Sequence, residues 1–156
     1  MNEIGFISWS VPTGNFNKTD WVTLLLLDLI EFGLVPETDF ALNITPVNQM
    51  SRSIVELGES EETVKATINL PATHTVTFKT IWIEICRQQQ IEPNYLSVTE
   101  WRHKLDERIK MDPQSLRGLQ LFSNVLTDSF SDETTTTIGT ESDLNLPMFV
   151  QALLRN

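Results

Sequence analysis

Tyr95, the only tyrosine in the chain, has Thr99 four positions on. Reductases of the short-chain type pair a tyrosine with a lysine at that spacing, because the ammonium lowers the phenol pKa and lets it donate a proton. That pair is missing. A nicotinamide cofactor also asks for a glycine-rich turn between a strand and a helix, where only glycine lets a pyrophosphate approach the backbone amides. The six glycines, at 5, 14, 33, 58, 118 and 139, stand singly. Other chemistries fare no better. His74 and His103 are far apart, with no His pair at helical spacing for a metal, and His74 reads as a solvated or capping residue in a turn. Cys86 stands alone among apolar neighbours and reads as a core residue. No Gly-x-Ser-x-Gly elbow singles out a serine, and Glu59, Glu61 and Glu62 read as a solvated acidic loop. The sequence therefore predicts no catalytic, cofactor-binding or metal-binding residue of its own.

Composition narrows the partners. A formal charge of −10, from 21 acidic and 11 basic residues, opposes nucleic acid and anionic membrane surfaces. The longest apolar run, residues 21–30, is interrupted by Thr23 and Asp28 and is shorter than the ~20 residues a span requires. The start, Met1-Asn2-Glu3, lacks the positive charge of a secretory leader, so a cytoplasmic protein is expected. With one cysteine, no internal disulfide can form.

The expected elements follow from periodicity and caps. Thr19 or Asn17 caps a helix from Asp20 to Gly33, apolar most of the way round and suited to an interface. A strand over 40–44 runs to Pro46, which starts a helix from Val47 to Leu57 closed by Gly58 in a left-handed cap. Residues 64–70 alternate like a strand, Thr77 caps a helix to Gln89, and 95–98 form a strand. Thr99 then caps a helix carrying Trp101, Leu105 and Ile109, and further helices span 113–124 and 147–154. Residues 126–146 are polar and read as a mobile loop. The 156 residues are expected to form a single domain, α/β or α+β, mainly helical with a small sheet.

Ser8-Trp9-Ser10-Val11-Pro12-Thr13-Gly14-Asn15-Phe16-Asn17-Lys18-Thr19-Asp20-Trp21, then Pro46-Val47-Asn48, Asn69-Leu70-Pro71 and Ser97-Val98-Thr99-Glu100-Trp101, follow one another in a telling order. Together they resemble the part of NAD(P)-dependent thioester reductase domains that lies beyond the catalytic Tyr and Lys. Such domains end many polyketide and nonribosomal peptide synthetases. The likeness covers residues 4–125 and loosely the remainder, with Asn48 where the family has Asp.

The resemblance implies the C-terminal lobe of an extended short-chain dehydrogenase lacking most of the Rossmann half. In a complete family member that half binds NAD(P)H, and the smaller lobe closes over an acyl-phosphopantetheine thioester. By position, Asn15, Asn17, Trp21, Thr45, Pro46 and Val47 are the substrate-binding candidates. As bland alternatives, Asn15 and Asn17 serve turns and caps, Trp21 the core and Pro46 a helix start. Three readings follow: a substrate-binding lobe inactive without its nucleotide half, a degenerate lobe docking a carrier protein or synthetase neighbour, or a piece cut from a longer synthetase. The implied partners are an acyl carrier protein or the upstream nucleotide-binding half, with Arg102, Lys104, Arg108 and Lys110 as a possible local basic patch.

Overall fold

The structure, a computed structural model, describes residues 6–59, 70, 72–125 and 141–155. Elements run in the order β1 (Phe6–Ser8), α1 (Trp21–Phe32), β2 (Val35–Pro36), β3 (Ala41–Pro46), α2 (Val47–Gly58) and β4 (His74–Thr77). They continue with α3 (Phe78–Gln89), β5 (Tyr95–Leu96), α4 (Val98–Met111), α5 (Arg117–Val125), a 3-10 helix (Glu141–Leu144) and α6 (Leu146–Leu154). This is the mainly helical α/β architecture with little sheet that the sequence predicts. The chain divides into two compact units, the first drawn from residues 1–16, 41–77 and 135–156, the second from 17–40 and 78–134.

Unit 1 holds a three-stranded sheet in the order β1-β3-β4. β1 lies parallel to β3, with Phe6 opposite Ile44 and Ser8 opposite Pro46, and β4 runs antiparallel to β3, with Ile44 opposite His74. Period-two burial shows on β3 and β4: Leu42 and Ile44 on β3 and His74 and Val76 on β4 are buried, while Ala41, Asn43, Thr75 and Thr77 are half-buried. α6 buries Leu146, Phe149, Val150 and Leu153, the i, i+3, i+4, i+7 stripe of an amphipathic helix. Phe149 stacks on Trp9 at 3.9 Å and meets Phe16 edge-on at 5.5 Å, and Trp9 Nε1 donates to the Leu144 carbonyl at 2.7 Å. The indole nitrogen thus keeps a partner despite burial.

Unit 2 packs α1, α3, α4 and α5 around Phe78, Trp101 and Phe122, with Phe78 and Phe122 stacked at 4.9 Å. β2 and β5 form a parallel two-stranded sheet. α1 and α5 approach at backbone distance, because a side chain on Gly118 would meet the Leu25 amide nitrogen at 2.7 Å. Asp28 of α1 accepts from the Gly118 and Leu119 amides at 2.6 and 3.3 Å, satisfying donors at the start of α5 that no helical carbonyl can reach. Burial raises its carboxyl pKa, against the opposing pull of those two amides.

Local chemistry moves several expected boundaries. Asp20, rather than Thr19 or Asn17, caps α1, its carboxylate accepting from the Thr23 amide at 2.9 Å. Ser97, rather than Thr99, caps α4 in a capping box with Glu100. Pro46 ends β3 with φ −56° and ψ 137°, and α2 starts at Val47 as the sequence predicts. Gly58 lies inside α2, whose C-cap is a right-handed Glu59, whereas Gly33 does adopt the left-handed cap. α5 begins only at Arg117, after a turn through Asp112 to Ser115. The strand expected over 64–70 falls outside the described residues except for Leu70, as do positions 126–140 of the expected loop, whose last residues are helical. Among the described residues, no helix is long and apolar enough to cross a membrane.

Candidate functional site

The two parallel strands of unit 1 end side by side, Ser8 against Pro46. In open parallel sheets, the ground beyond the carboxyl ends of the strands is where ligands bind, since the connecting loops converge there. Four segments meet at this end: the loop 9–16 after β1, the turn Thr45-Pro46-Val47, the first turn of α2, and Thr73-His74 at the start of β4.

The loop after β1 closes on itself. Ser10 donates its amide to the Asn15 carbonyl at 2.8 Å, and its own carbonyl accepts from Gly14 N at 2.7 Å and Thr13 N at 3.2 Å. Its middle is anchored from both sides: the Val11 amide donates to Asn48 Oδ1 at 3.1 Å, and Asn145 Nδ2 donates to the Val11 carbonyl at 3.2 Å. Asn48, where the resembling family carries Asp, therefore supplies the acceptor that an aspartate would, without the charge. Gly14 takes φ +70° with its backbone against Met148. Asn15 is exposed at the end of this loop.

Thr73 joins the remaining pieces. Its amide donates to the Ile44 carbonyl at 3.1 Å and to Thr45 Oγ1 at 3.3 Å. Its hydroxyl donates to Gln49 Oε1 at 3.0 Å and lies 2.7 Å from His74 Nδ1. Thr45 is buried at 5 % exposure, Pro46 is buried, and Val47 is 38 % exposed. Beside them, the Ser8 hydroxyl is buried without a hydrogen-bond partner among the described residues.

His74 corrects the sequence reading. It is neither solvated nor in a turn but lies in β4 at 2 % exposure. Burial lowers its pKa, with Asp143 pulling the other way, so the ring is held in its neutral form. The period-two run His74-Thr75-Val76-Thr77 carried the strand signal, obscured by Pro71 and by the threonines' affinity for turns.

Of the six candidate residues, Asn15, Thr45, Pro46 and Val47 belong to unit 1, and Asn17 and Trp21 to unit 2. Asn17 Oδ1 accepts from the Thr19 amide and hydroxyl at 3.0 and 2.9 Å, the geometry of a turn residue. Trp21 is 41 % exposed at the start of α1, so it is not a core residue. Sequence reasoning missed Gln49 and Thr73 altogether.

Elsewhere the reactive side chains are quiet. Cys86 is buried on α3, where burial pushes its thiol pKa up, and burial likewise raises that of the Tyr95 phenol. His103 lies on α4, 3.8 Å from Glu107, both exposed. Among the described residues, no group of three His, Cys, Asp or Glu could hold a metal ion. Of the basic residues on α4, Arg102 turns inward and donates to the Ser123 carbonyl at 3.3 Å, which leaves Lys104, Arg108 and Lys110 outside.

No family model matches the chain, and no curated protein does. Among solved structures it is similar to the terminal R domain from the myxalamid PKS-NRPS biosynthetic pathway, with a TM-score of 0.68 and 19 % sequence identity. The match covers 97 % of this chain and 43 % of that one, so the chain spans less than half the length of the structure it matches. At that identity the likeness is one of fold, and it is the fold that the resemblance in the sequence implies.

Proposed function

We propose that this chain is the substrate-binding lobe of a cytoplasmic thioester-reductase-like protein, shaped to receive an acyl-phosphopantetheine thioester. The single observation that carries this reading is the fold match over 97 % of the chain to a terminal R domain. Asn15, Thr45, Pro46 and Val47 are the candidates for the acyl-pantetheine in unit 1, and Asn17 and Trp21 are the candidates in unit 2. Pantetheine carries two amides and a flexible apolar arm. Exposed Asn15 and Val47 offer a polar and an apolar contact of the kinds such an arm takes.

NAD(P)H does not fit the strand-to-helix turn described in unit 1. In unit 1 the strand-to-helix turn is Thr45-Pro46-Val47, where a proline without an N–H and a branched side chain stand in place of the glycines a pyrophosphate needs. The cofactor would belong to a separate nucleotide-binding half, and the isolated lobe would not reduce thioesters. The test is calorimetry on the full chain, with S-hexanoyl-pantetheine and NADPH titrated separately. Saturable binding of the thioester without binding of NADPH is the expected result. Micromolar NADPH binding would sink the assignment of the cofactor to another half, and absence of thioester binding at millimolar concentration would sink the lobe reading.

A second reading is favoured by exposed apolar residues: Trp21 and Leu24 on α1, and Ile54 and Val55 on α2. A degenerate lobe docking an acyl carrier protein or a synthetase neighbour would use such surfaces. Lys104, Arg108 and Lys110 would then meet the acidic carrier. Retention of the chain on an immobilised carrier protein, with no affinity for free acyl-pantetheine, would favour this reading over the first.

A further inference from the structure

We infer that Thr73 is a positioning residue, whose hydroxyl links His74 to Gln49 and thereby sets the turn Thr45-Pro46-Val47. The inference rests on the reading that this end of unit 1 faces the acyl-pantetheine ligand, and it adds residues which that reading does not name.

A threonine hydroxyl has one proton to give. Directed at Gln49 Oε1, 3.0 Å away, that proton is not available to His74, whose Nδ1 is nevertheless only 2.7 Å from Thr73 Oγ1. With the Gln49 amide placed so that its oxygen faces the hydroxyl, His74 Nδ1 carries the ring proton and donates it, which gives a directed chain from His74 through Thr73 to Gln49. The Thr73 amide acts in concert, reaching both Ile44 O and Thr45 Oγ1. One residue thus holds β3 just before the turn and α2 just after it. Gln49 lies two residues beyond Val47, and Thr45 lies two before it. The buried ring supplies the fixed end, since at 2 % exposure His74 has little freedom to rotate. Val47, more than a third exposed, is placed by groups that have no need to touch the ligand themselves.

The experiment is heteronuclear NMR on the full chain, reading the His74 tautomer and the backbone amides in wild type, Thr73→Val, Thr73→Ser and Gln49→Leu, with S-hexanoyl-pantetheine as probe. The wild type is expected to show His74 protonated at Nδ1. In Gln49→Leu the Thr73 hydroxyl, lacking its acceptor, turns to His74 Nδ1, and the proton moves to Nε2. In Thr73→Val the amides of Thr45, Val47 and Gln49 shift, and probe affinity falls about tenfold, the order of one lost hydrogen bond. Thr73→Ser restores both.

A wild-type ring protonated at Nε2, or a Gln49→Leu ring that keeps Nδ1–H, overturns the inference. So do amides of Thr45, Val47 and Gln49 that stay in place without the Thr73 hydroxyl. Should Thr73→Val fail to fold, Gln49→Leu still decides through the tautomer. Should the probe bind no variant and no wild type, the functional reading fails, while the tautomer and the amide shifts still test the linkage.

Discussion

A β-carbon on Gly14 would stand 2.8 Å from the carbonyl oxygen of Met148 and 2.9 Å from its Cγ. The loop after β1 and the start of α6 therefore meet backbone to backbone, at a residue whose φ of +70° already favours glycine. Gly33 has the same φ, but nothing lies within 4 Å of its missing side chain. The two positions separate conformational strain from steric contact. Gly33→Ala should cost about 1–2 kcal/mol, the left-handed penalty alone. Gly14→Ala should cost roughly 3 kcal/mol or more, because loop or helix must also move. Urea denaturation of both variants checks this, and equal losses would refute the close approach.

His74 makes stability depend on pH with a definite sign. Its folded pKa lies below the ordinary 6.5 because burial disfavours the imidazolium. The unfolded chain therefore binds more protons below that value, and stability contributed by neutral His74 is complete above pH 6.5. It is lost as pH falls below 6.5 towards the folded pKa. His74→Gln should flatten this part of the curve of melting temperature against pH, and an unchanged slope between pH 7 and 5 would contradict the burial.

Ser8 has a buried hydroxyl with no hydrogen-bond partner among the described residues, and an unsatisfied buried polar group costs about 1–3 kcal/mol. Replacing the hydroxyl with hydrogen should relieve part of that cost, so Ser8→Ala is expected to be neutral or stabilising, with a rise in melting temperature of a few degrees at most. Most truncations of buried side chains do the reverse. A loss above about 1 kcal/mol in denaturant titration would show that the hydroxyl has a partner.

Asp28 works in the opposite sense to most carboxylates that cap helices. It accepts from two amides of α5, yet burial outweighs them and its pKa is raised. The folded state then holds its proton at pH values where the unfolded state has released it, so this group's contribution declines as pH rises through 3.8 and upward to the folded pKa. Asp28→Asn keeps an acceptor without the buried charge and should be close to neutral. Asp28→Ala strands the Gly118 and Leu119 amides and should cost about 1–3 kcal/mol. Chemical denaturation at pH 7 distinguishes them, and a larger loss for Asn than for Ala would reverse the argument.

Elements with strong local signals were legible from residue types alone. The apolar run of α1, the helical spacing of Phe78, Ile81, Trp82 and Ile85, and the stop at Gly33 all name themselves through periodicity and capping. Caps proved less legible where short polar residues crowd together, as at Asn17, Thr19 and Asp20, because the choice depends on which side chain reaches an orphan amide. The polar cluster around Thr73 stayed hidden for a different reason. Gln49 and Thr73 are 24 residues apart, and only the pairing of β3 with β4 brings them together. β2 and β5, two residues each, are created by a partner strand 60 positions away and have no periodicity to read. The ordered motifs around Thr13-Gly14 and Pro46-Val47 pointed to the right fold, but not to the residues that hold those motifs in place.

The Val11 backbone is held at its N–H by a residue 37 positions later and at its carbonyl by one 134 positions later. During synthesis, therefore, the loop after β1 stays incomplete until Asn145, 134 positions on, has emerged. Until residues 141–155 emerge, Trp9 has neither its carbonyl acceptor nor its stacking ring, and an exposed indole is a natural handle for chaperones. Non-local closure of this kind is slow because its loop entropy must be met before any contact rewards it. The last helix of unit 1 thus acts as a completion signal, and proteolytic sensitivity of the loop at residues 9–16 should disappear only when translation has passed α6.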